Sequence, residues 1–163
     1  MDPYLAIASK RDERAYADTS VPADVRERIL DAGRLSGSSR NRQRWEFAVV
    51  SGQAQERLAE AVYAPENVSS AALVVAVVGE AGSFDVGRCA QNMMLAAWGD
   101  GVVSCPNGVR DADAAAAICG GDVRAILSFG YPPRPRSPAD HSAEGWSTRA
   151  NRKPLSELVR DVS

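Results

Sequence analysis

Histidine and cysteine are scarce in this sequence, and their scarcity excludes several kinds of catalytic site. The 163 residues include a single histidine, His141, and three cysteines. One histidine cannot form a histidine-rich metal cluster, and a Ser-His or Cys-His nucleophile would depend on that residue alone. The cysteines are Cys89, Cys105 and Cys119. They are widely spaced and odd in number, and no two of them form a C-x-x-C motif, so neither a disulfide framework nor a zinc site is predicted. We expect the three cysteines to pack inside the protein.

Long apolar runs are missing too. The longest, over residues 71–78, is far shorter than the about 20 residues that a membrane-spanning helix needs. The opening Met1-Asp2-Pro3-Tyr4 lacks the basic patch, apolar stretch and small-residue cleavage site of a signal peptide. We therefore expect a cytoplasmic protein with no membrane segment.

The sequence also has no excess of positive charge. Its formal net charge is −2, and 25% of its residues are charged. Because a surface that follows nucleic acid phosphates needs clustered Lys and Arg in excess, no nucleic acid partner is predicted. With 45% hydrophobic residues the composition is that of an ordinary globular protein, and we predict a single domain over residues 1–163.

Hydrophobic periodicity predicts a mixture of helices and strands. Trp45, Phe47 and Val49 alternate with other residues, as in a half-buried strand. The continuous apolar run 71–78 is typical of a central strand that is buried on both faces. Helices are predicted over 3–16, 54–63, 85–98, 113–119 and 154–162, and from a cap at Ser20 to Gly33 or Gly37; strands are predicted over 45–49, 71–78, 102–105 and 126–130.

Residues 132–153 form a polar segment with four prolines that is too long for an ordinary connection. We expect an extended arm that reaches over a partner subunit, and a mobile surface loop is the alternative. Neither an internal repeat nor a second domain boundary is indicated.

Three segments carry polar or basic residues in patterns that suit a ligand. Ser38-Ser39-Arg40-Asn41-Arg42-Gln43-Arg44-Trp45 sets hydroxyl and carboxamide groups along a loop, where they offer donors and acceptors to a polar heterocycle or polyol. Lys10, Arg11 and Arg14 suit a phosphate, with the two arginines on one face of the predicted helix; a solvated basic surface is the alternative. Arg152-Lys153-Pro154-Leu155 is a second basic cluster.

Together these segments resemble the nitroreductase family. The polar loop is similar to the family's Ser-Ser-x-Asn-x-Gln-Pro-Trp signature, residues 10–14 to its opening Arg-Arg-Ser-x-Arg type of segment, and residues 152–155 to its closing Arg-Lys-Pro-Leu. Gly130-Tyr131-Pro132 and the helix 87–98 also resemble family segments, and Gly99 to Gly108 resembles the stretch that passes the flavin ring. The matches run in family order over nearly the whole chain.

The resemblance implies an α+β fold of nitroreductase type, in which a mixed or antiparallel central sheet is flanked by helices. It also implies a homodimer with FMN at the subunit interface. By this resemblance Lys10, Arg11, Arg14 and Arg152 bind the FMN phosphate; Ser38, Ser39, Asn41 and Gln43 bind the ribityl chain and ring edges; and Pro106, Asn107 and Gly108 lie near flavin N5.

The implied activity is that of an FMN-dependent oxidoreductase. NADH or NADPH would deliver hydride to flavin N5, and a nitroaromatic, quinone or activated alkene would then accept it, without an obligatory acid-base side chain. A specialised flavin oxidase or dehalogenase and a deazaflavin-dependent reductase are alternatives on the same fold. A non-catalytic flavin-binding protein and a flavin-free dimer are the alternatives outside enzymology.

Three departures from the family pattern bear on function. Asp12 stands where the family commonly has Ser, and Arg44 replaces the usual Pro before Trp45. The chain between residues 63 and 71 is short, whereas many family members carry a helical excursion there, or after the central helix, that roofs the substrate pocket. We therefore expect a reduced roof, with Trp146 or the segment 132–153 supplying part of a lid.

Overall fold

A four-stranded antiparallel sheet lies at the centre of the protein, which a computed structural model describes over residues 2–162. The strands are β1 (Glu46–Val50), β2 (Leu73–Val78), β3 (Val103–Asn107) and β4 (Val123–Gly130), in the spatial order β1-β2-β4-β3. In the register, Val75 of β2 lies opposite Val49 of β1 and Leu127 of β4. All six residues of β2 are buried, which confirms the central strand predicted from the apolar run.

Helices cover both faces of the sheet. Within residues 2–162 they are α1 (Pro3–Ser9), α2 (Ala23–Arg34), α3 (Gln53–Glu60), α4 (Pro65–Ser69), α5 (Ser83–Gly99), α6 (Ala112–Cys119) and α7 (Ala143–Arg149). Short 3₁₀ turns occur at Ser39–Asn41, Pro138–Asp140 and Leu155–Glu157. None of the helices in this described part of the chain is long and apolar enough to cross a membrane.

Successive side chains of β2 enter two different cores. Val75 and Val77 belong to the core under α2 and α5, whereas Val74 and Ala76 belong to the core under α3, α4 and α6. This is the period of two that a strand imposes when both of its faces are covered. Met93, at the middle of α5, is fully buried in the first core. The predicted α+β fold with an antiparallel sheet flanked by helices is thus confirmed.

The predicted helix over residues 3–16 is wrong beyond Ser9. α1 ends there, and the chain continues in extended conformation along the outer edge of β3. Asp12 forms a parallel bridge with Ser104, and the Glu13 N–H donates to the Ser104 carbonyl over 3.1 Å. An edge strand presents unpaired N–H and C=O groups, and the charged run after α1 has no apolar face to hold a helix against the core. The residues after Ser9 therefore pair with the edge of β3 instead of continuing the helix.

Two other helix predictions fail at their boundaries. α2 begins after Pro22, without a side-chain cap from Ser20. It ends at Arg34, so Gly33 lies inside the helix and Gly37 lies beyond its end. The predicted helix over 154–162 is only the turn Leu155–Glu157, because every described residue beyond 150 is exposed and no core contact holds a helix there. Met1 and Ser163, the ends of the predicted single domain, lie outside the described residues.

The segment 132–153 contains α7, a helix that the sequence did not predict. α7 packs against α1 of its own chain. Trp146 is buried in this contact, and its indole Nε1–H donates to the Pro138 carbonyl over 2.8 Å. The middle of the segment is therefore folded onto the chain and is not extended. A reach over a partner subunit stays a prediction.

Candidate functional site

A basic cavity of about 440 Å³ lies where α1, α7 and the extended residues after α1 meet α5. Its size lies within the range of small-molecule and cofactor sites. The lining residues are Tyr4, Ile7, Ala8, Lys10, Arg11, Asp12, Gln91, Ser147, Ala150 and Arg152. Three of them are basic and one is acidic, so the cavity favours an anionic ligand.

Arg11 and Arg152 come from opposite ends of the chain and line this cavity together. The Arg11 guanidinium donates to the carbonyls of Ala8 and Trp146, each over 2.7 Å, and lies 5.8 Å from the Trp146 ring centroid. These contacts fix its position but leave its charge without a counter-ion. Among residues 2–162, no carboxylate lies within 4.0 Å of Arg11 or Arg152.

Lys10 differs from the two arginines because its ammonium is already paired. Its Nζ forms an ion pair with the Asp12 carboxylate and lies 3.5 Å from both the Met94 Sδ and the Ser104 carbonyl oxygen. The Lys10 side chain is 7% exposed, and that of Asp12 is 47% exposed. Asp12 therefore pairs with Lys10 within the cavity.

Arg14 does not line the basic cavity, and because the segment is extended it does not share a helical face with Arg11. It lies instead near the Cys105 thiol. Of the four residues predicted to bind phosphate, the structure thus brings together Lys10, Arg11 and Arg152.

A buried polar network lies beside Arg14. The Tyr16 hydroxyl and the Ser128 Oγ are 2.8 Å apart, and the Asn107 Nδ2 donates to that Oγ over 3.0 Å. The Asn107 Oδ1 is buried without a hydrogen-bond partner. Burial raises the pKa of Tyr16 to about 12. Burial also raises the pKa of the Cys105 thiol, against the opposing effect of Arg14, so both groups hold their protons at neutral pH.

The residues predicted to lie near flavin N5 occupy the end of β3. Pro106 and Gly108 are exposed, and the Gly108 carbonyl accepts from the Tyr63 N–H over 3.0 Å. The Asn107 side chain instead enters the polar network. This stretch therefore offers backbone rather than side-chain groups to a ligand.

The polar loop, residues 38–43, has its own internal hydrogen bonds. The Gln43 N–H donates to the Ser38 Oγ over 2.9 Å, and the Gln43 Nε2 donates to the Asn41 Oδ1 over 3.2 Å. The Ser39 N–H donates to the Asp85 carboxylate, near the beginning of α5, over 3.1 Å. Arg40, Asn41 and Gln43 have φ angles of 53°, 53° and 49°. Such angles are uncommon for residues other than glycine and concentrate at functional sites.

Within one chain the polar loop and the basic cavity are apart. The loop contacts α5 at Asp85, whereas Lys10 contacts the same helix at Met94. At 1.5 Å per residue, the helical rise between these two contacts is about 14 Å. The predicted site residues thus form separate groups in a single chain.

Comparisons with known proteins point to one family. The model of the nitroreductase family matches residues 7–82. A putative nitroreductase from Desulfovibrio desulfuricans, solved in complex with FMN, is 24% identical with a TM-score of 0.80, and the match covers 100% of this chain and 98% of that one. A nitroreductase family protein from Clostridium difficile 630 is 22% identical with a TM-score of 0.79, and the match covers 98% of each chain. No curated protein sequence matches.

The chain has the nitroreductase fold. A third solved structure of this fold, the NADPH:FMN oxidoreductase from Vibrio harveyi complexed with NAD⁺, is 19% identical with a TM-score of 0.81, over 97% of this chain and 76% of that one. The fold that the sequence motifs implied is thereby confirmed.

The basic cavity of this nitroreductase fold has donors suited to a flavin phosphate. Arg11 and Arg152 supply planar donor groups without a counter-ion, and Gln91 and Ser147 add neutral donors beside them. These donors fit the phosphate of an organic cofactor. Among residues 2–162, no group of three potential metal ligands is found.

Several lining residues of the cavity were not predicted. Tyr4 and Ile7 lie on α1, Gln91 on α5 and Ser147 on α7. α7 itself was not predicted, and Gln91 gave no local signal because it occupies an exposed position of a helix that is otherwise rich in core residues.

Proposed function

We propose that this protein is an FMN-dependent oxidoreductase that passes hydride from NADH or NADPH to a nitroaromatic, a quinone or an activated alkene. The observation that carries the proposal is the convergence of Lys10, Arg11 and Arg152 in one cavity of the nitroreductase fold. Two proteins of this fold support it, since one was solved with FMN and another is an NADPH:FMN oxidoreductase.

In this proposal the basic cavity holds the phosphate end of the cofactor. Arg11 and Arg152 would bind the phosphate oxygens through paired N–H donors. The Trp146 carbonyl and ring hold the Arg11 guanidinium in place, so that little rotational freedom is lost when the phosphate binds. α7 therefore serves the site by fixing this arginine.

The residues near the reacting end would act through position rather than through proton transfer. FMN, when bound, supplies the hydride transfer itself. Tyr16 and Cys105 keep their protons at neutral pH because both are buried, so neither is suited to act as a base. Arg14 would place positive charge near the ring, and the exposed backbone at Pro106 and Gly108 would face its edge.

We also propose a homodimer in which the polar loop of each chain completes the site of the other. This accounts for the separation of the loop from the basic cavity along α5. It also gives a role to the positive φ angles of Asn41 and Gln43, since such angles concentrate at functional sites.

The test is the visible absorption spectrum of the purified protein, recorded before and after anaerobic addition of NADPH and then NADH. A flavin band that either donor bleaches is expected. A band that persists would favour an oxidase, a dehalogenase, a deazaflavin-dependent reductase or a non-catalytic flavoprotein. Absence of a band even after titration with FMN would overturn the proposal.

The double substitution Arg11→Ala with Arg152→Ala should remove most bound FMN, because it deletes the two cations that lack a counter-ion among the described residues lining the cavity. Each charge-assisted hydrogen bond contributes about 1.5–3 kcal/mol, so the affinity should fall at least about 100-fold. Flavin occupancy after gel filtration measures this. The matched control is Arg57→Ala with Arg124→Ala, two exposed arginines outside the cavity lining. Full occupancy in the first variant would contradict the assignment.

A further inference from the structure

Asp12 is the single acid among the described residues that line the basic cavity, and it is paired with Lys10, whose side chain is largely buried there. The Lys10 ammonium has three N–H donors. Its three polar neighbours are the Asp12 carboxylate, the Met94 Sδ and the Ser104 carbonyl oxygen. All three are provided by the chain itself, so the charge of Lys10 is neutralised before any ligand arrives.

A phosphate that enters the cavity therefore meets two available cations and one ion pair, in which the carboxylate is far more exposed than the ammonium. Arg11 and Arg152 attract it, whereas the Asp12 side chain is half exposed and repels it. A flavin without a phosphate would not experience this repulsion. The identity of residue 12 thus bears on which form of a flavin the cavity prefers.

We infer that Asp12 sets the anion preference of the cavity: it holds Lys10 in an internal ion pair and so weakens the preference for a phosphorylated flavin over riboflavin. The part of this inference that concerns flavins rests on the proposed function. The pairing of Lys10 and its effect on phosphate itself do not.

Asp12→Asn is the direct test, because it removes the charge while keeping the size of the side chain. The affinities for FMN and riboflavin are measured by quenching of flavin fluorescence at fixed ionic strength. Loss of one charge that repels a phosphate dianion, together with release of the Lys10 ammonium, should raise the ratio of FMN to riboflavin affinity about tenfold. An unchanged ratio would overturn the inference.

Glu13→Gln is the matched control. It removes the same charge from the next residue, whose carboxylate pairs with Arg136 rather than with Lys10. Arg136 does not line the cavity. The ratio of FMN to riboflavin affinity should therefore stay within about twofold of that of the unchanged protein. If Glu13→Gln raised this ratio as much as Asp12→Asn, the effect would come from net charge alone and the inference would be overturned.

A second comparison removes the risk that Asp12→Asn fails to fold because it leaves a buried ammonium unpaired. In Lys10→Met that ammonium is absent, so adding Asp12→Asn to this variant leaves nothing unpaired. The double variant should again show a higher ratio of FMN to riboflavin affinity than Lys10→Met alone. Equal ratios in these two variants would overturn the inference.

Inorganic phosphate separates this inference from the proposed function. The increase in Tm that phosphate causes should be larger for Asp12→Asn than for the unchanged protein, and Glu13→Gln should resemble the latter. If neither flavin binds but phosphate shows this difference, the role of Asp12 stands and the proposed function fails. If both flavins bind but neither the ratio nor the phosphate response changes, the role of Asp12 fails and the proposed function stands.

Discussion

Gly130, the last residue of β4, lies against the Tyr16 ring. A Cβ at position 130 would come within 2.7 Å of the Tyr16 Cδ1 and 2.8 Å of its Cγ. The ring has little freedom to move, because its hydroxyl bonds to Ser128 and the next residue, Ala17, donates to the Tyr131 carbonyl over 2.7 Å. Gly130→Ala should therefore destabilise the protein by about 1–3 kcal/mol, as overpacking does.

Urea unfolding measures this change, and Gly87→Ala provides a control of opposite sign. Gly87 is an exposed residue of α5, and a Cβ there would meet nothing within 4 Å. Alanine favours a helix over glycine by about 0.5–1 kcal/mol, so Gly87→Ala should stabilise the protein. Similar unfolding midpoints for the two variants would contradict the close packing of Tyr16 on Gly130.

At the scale of the element, α5 carries a titrating group inside the core. Cys89 is fully buried, and burial raises its pKa from 9.0 to about 11. The folded state thus holds the proton that the unfolded state releases above pH 9. This contribution to stability is complete below pH 9 and is lost as the pH rises towards 11.

The free energy of unfolding, measured by urea titration, should therefore fall between pH 9 and pH 11 more steeply for the unchanged protein than for Cys89→Ala. Cys105, Cys119 and Tyr16 also have raised pKa values, but they are present in both proteins and cancel in the difference. The smaller alanine side chain should also lower the free energy of unfolding by a constant amount at all pH values. Parallel curves across this range would show that Cys89 does not titrate as its burial requires.

The elements that the sequence predicted are those whose pattern is local. β2 and α5 followed from a continuous apolar run and a wide apolar face, and both were confirmed. The end of α1 depends on the outer edge of β3, where Asp12 meets Ser104, and no local pattern contains that partner. α7 has seven residues including Gly145, and such a short helix depends on docking against α1.

The candidate site, too, could be predicted only where its residues follow a local pattern in the sequence. The basic residues near both ends of the chain were joined only through the family resemblance, since nothing local relates Arg11 to Arg152. Lys10 and Asp12 are only two residues apart, but the Lys10 ammonium is buried beside Met94 and Ser104, which come from distant parts of the chain. Which cations remain available to a ligand thus depends on contacts that only the tertiary structure shows.

At the scale of the whole molecule, the proposed dimer predicts a particular stoichiometry in mixed dimers. One subunit carries Arg11→Ala with Arg152→Ala, which damages its basic cavity, and the other carries Ser39→Ala with Asn41→Ala, which damages its polar loop. Each variant alone forms dimers in which both sites contain one damaged part. If each site combines the cavity of one chain with the loop of the other, a mixed dimer has one site with two damaged parts and one intact site.

Co-expression with two different affinity tags and sequential purification isolates the mixed dimer, and its flavin absorbance gives the occupancy. We expect about one FMN per mixed dimer, against little flavin in either parent dimer. If instead each site used the cavity and loop of the same chain, every subunit of the mixed dimer would carry one damaged part, and its occupancy would be the average of the two parents. A mixed dimer no richer in flavin than its parents would therefore reject a site shared between subunits, and a monomer in analytical ultracentrifugation would reject the dimer itself.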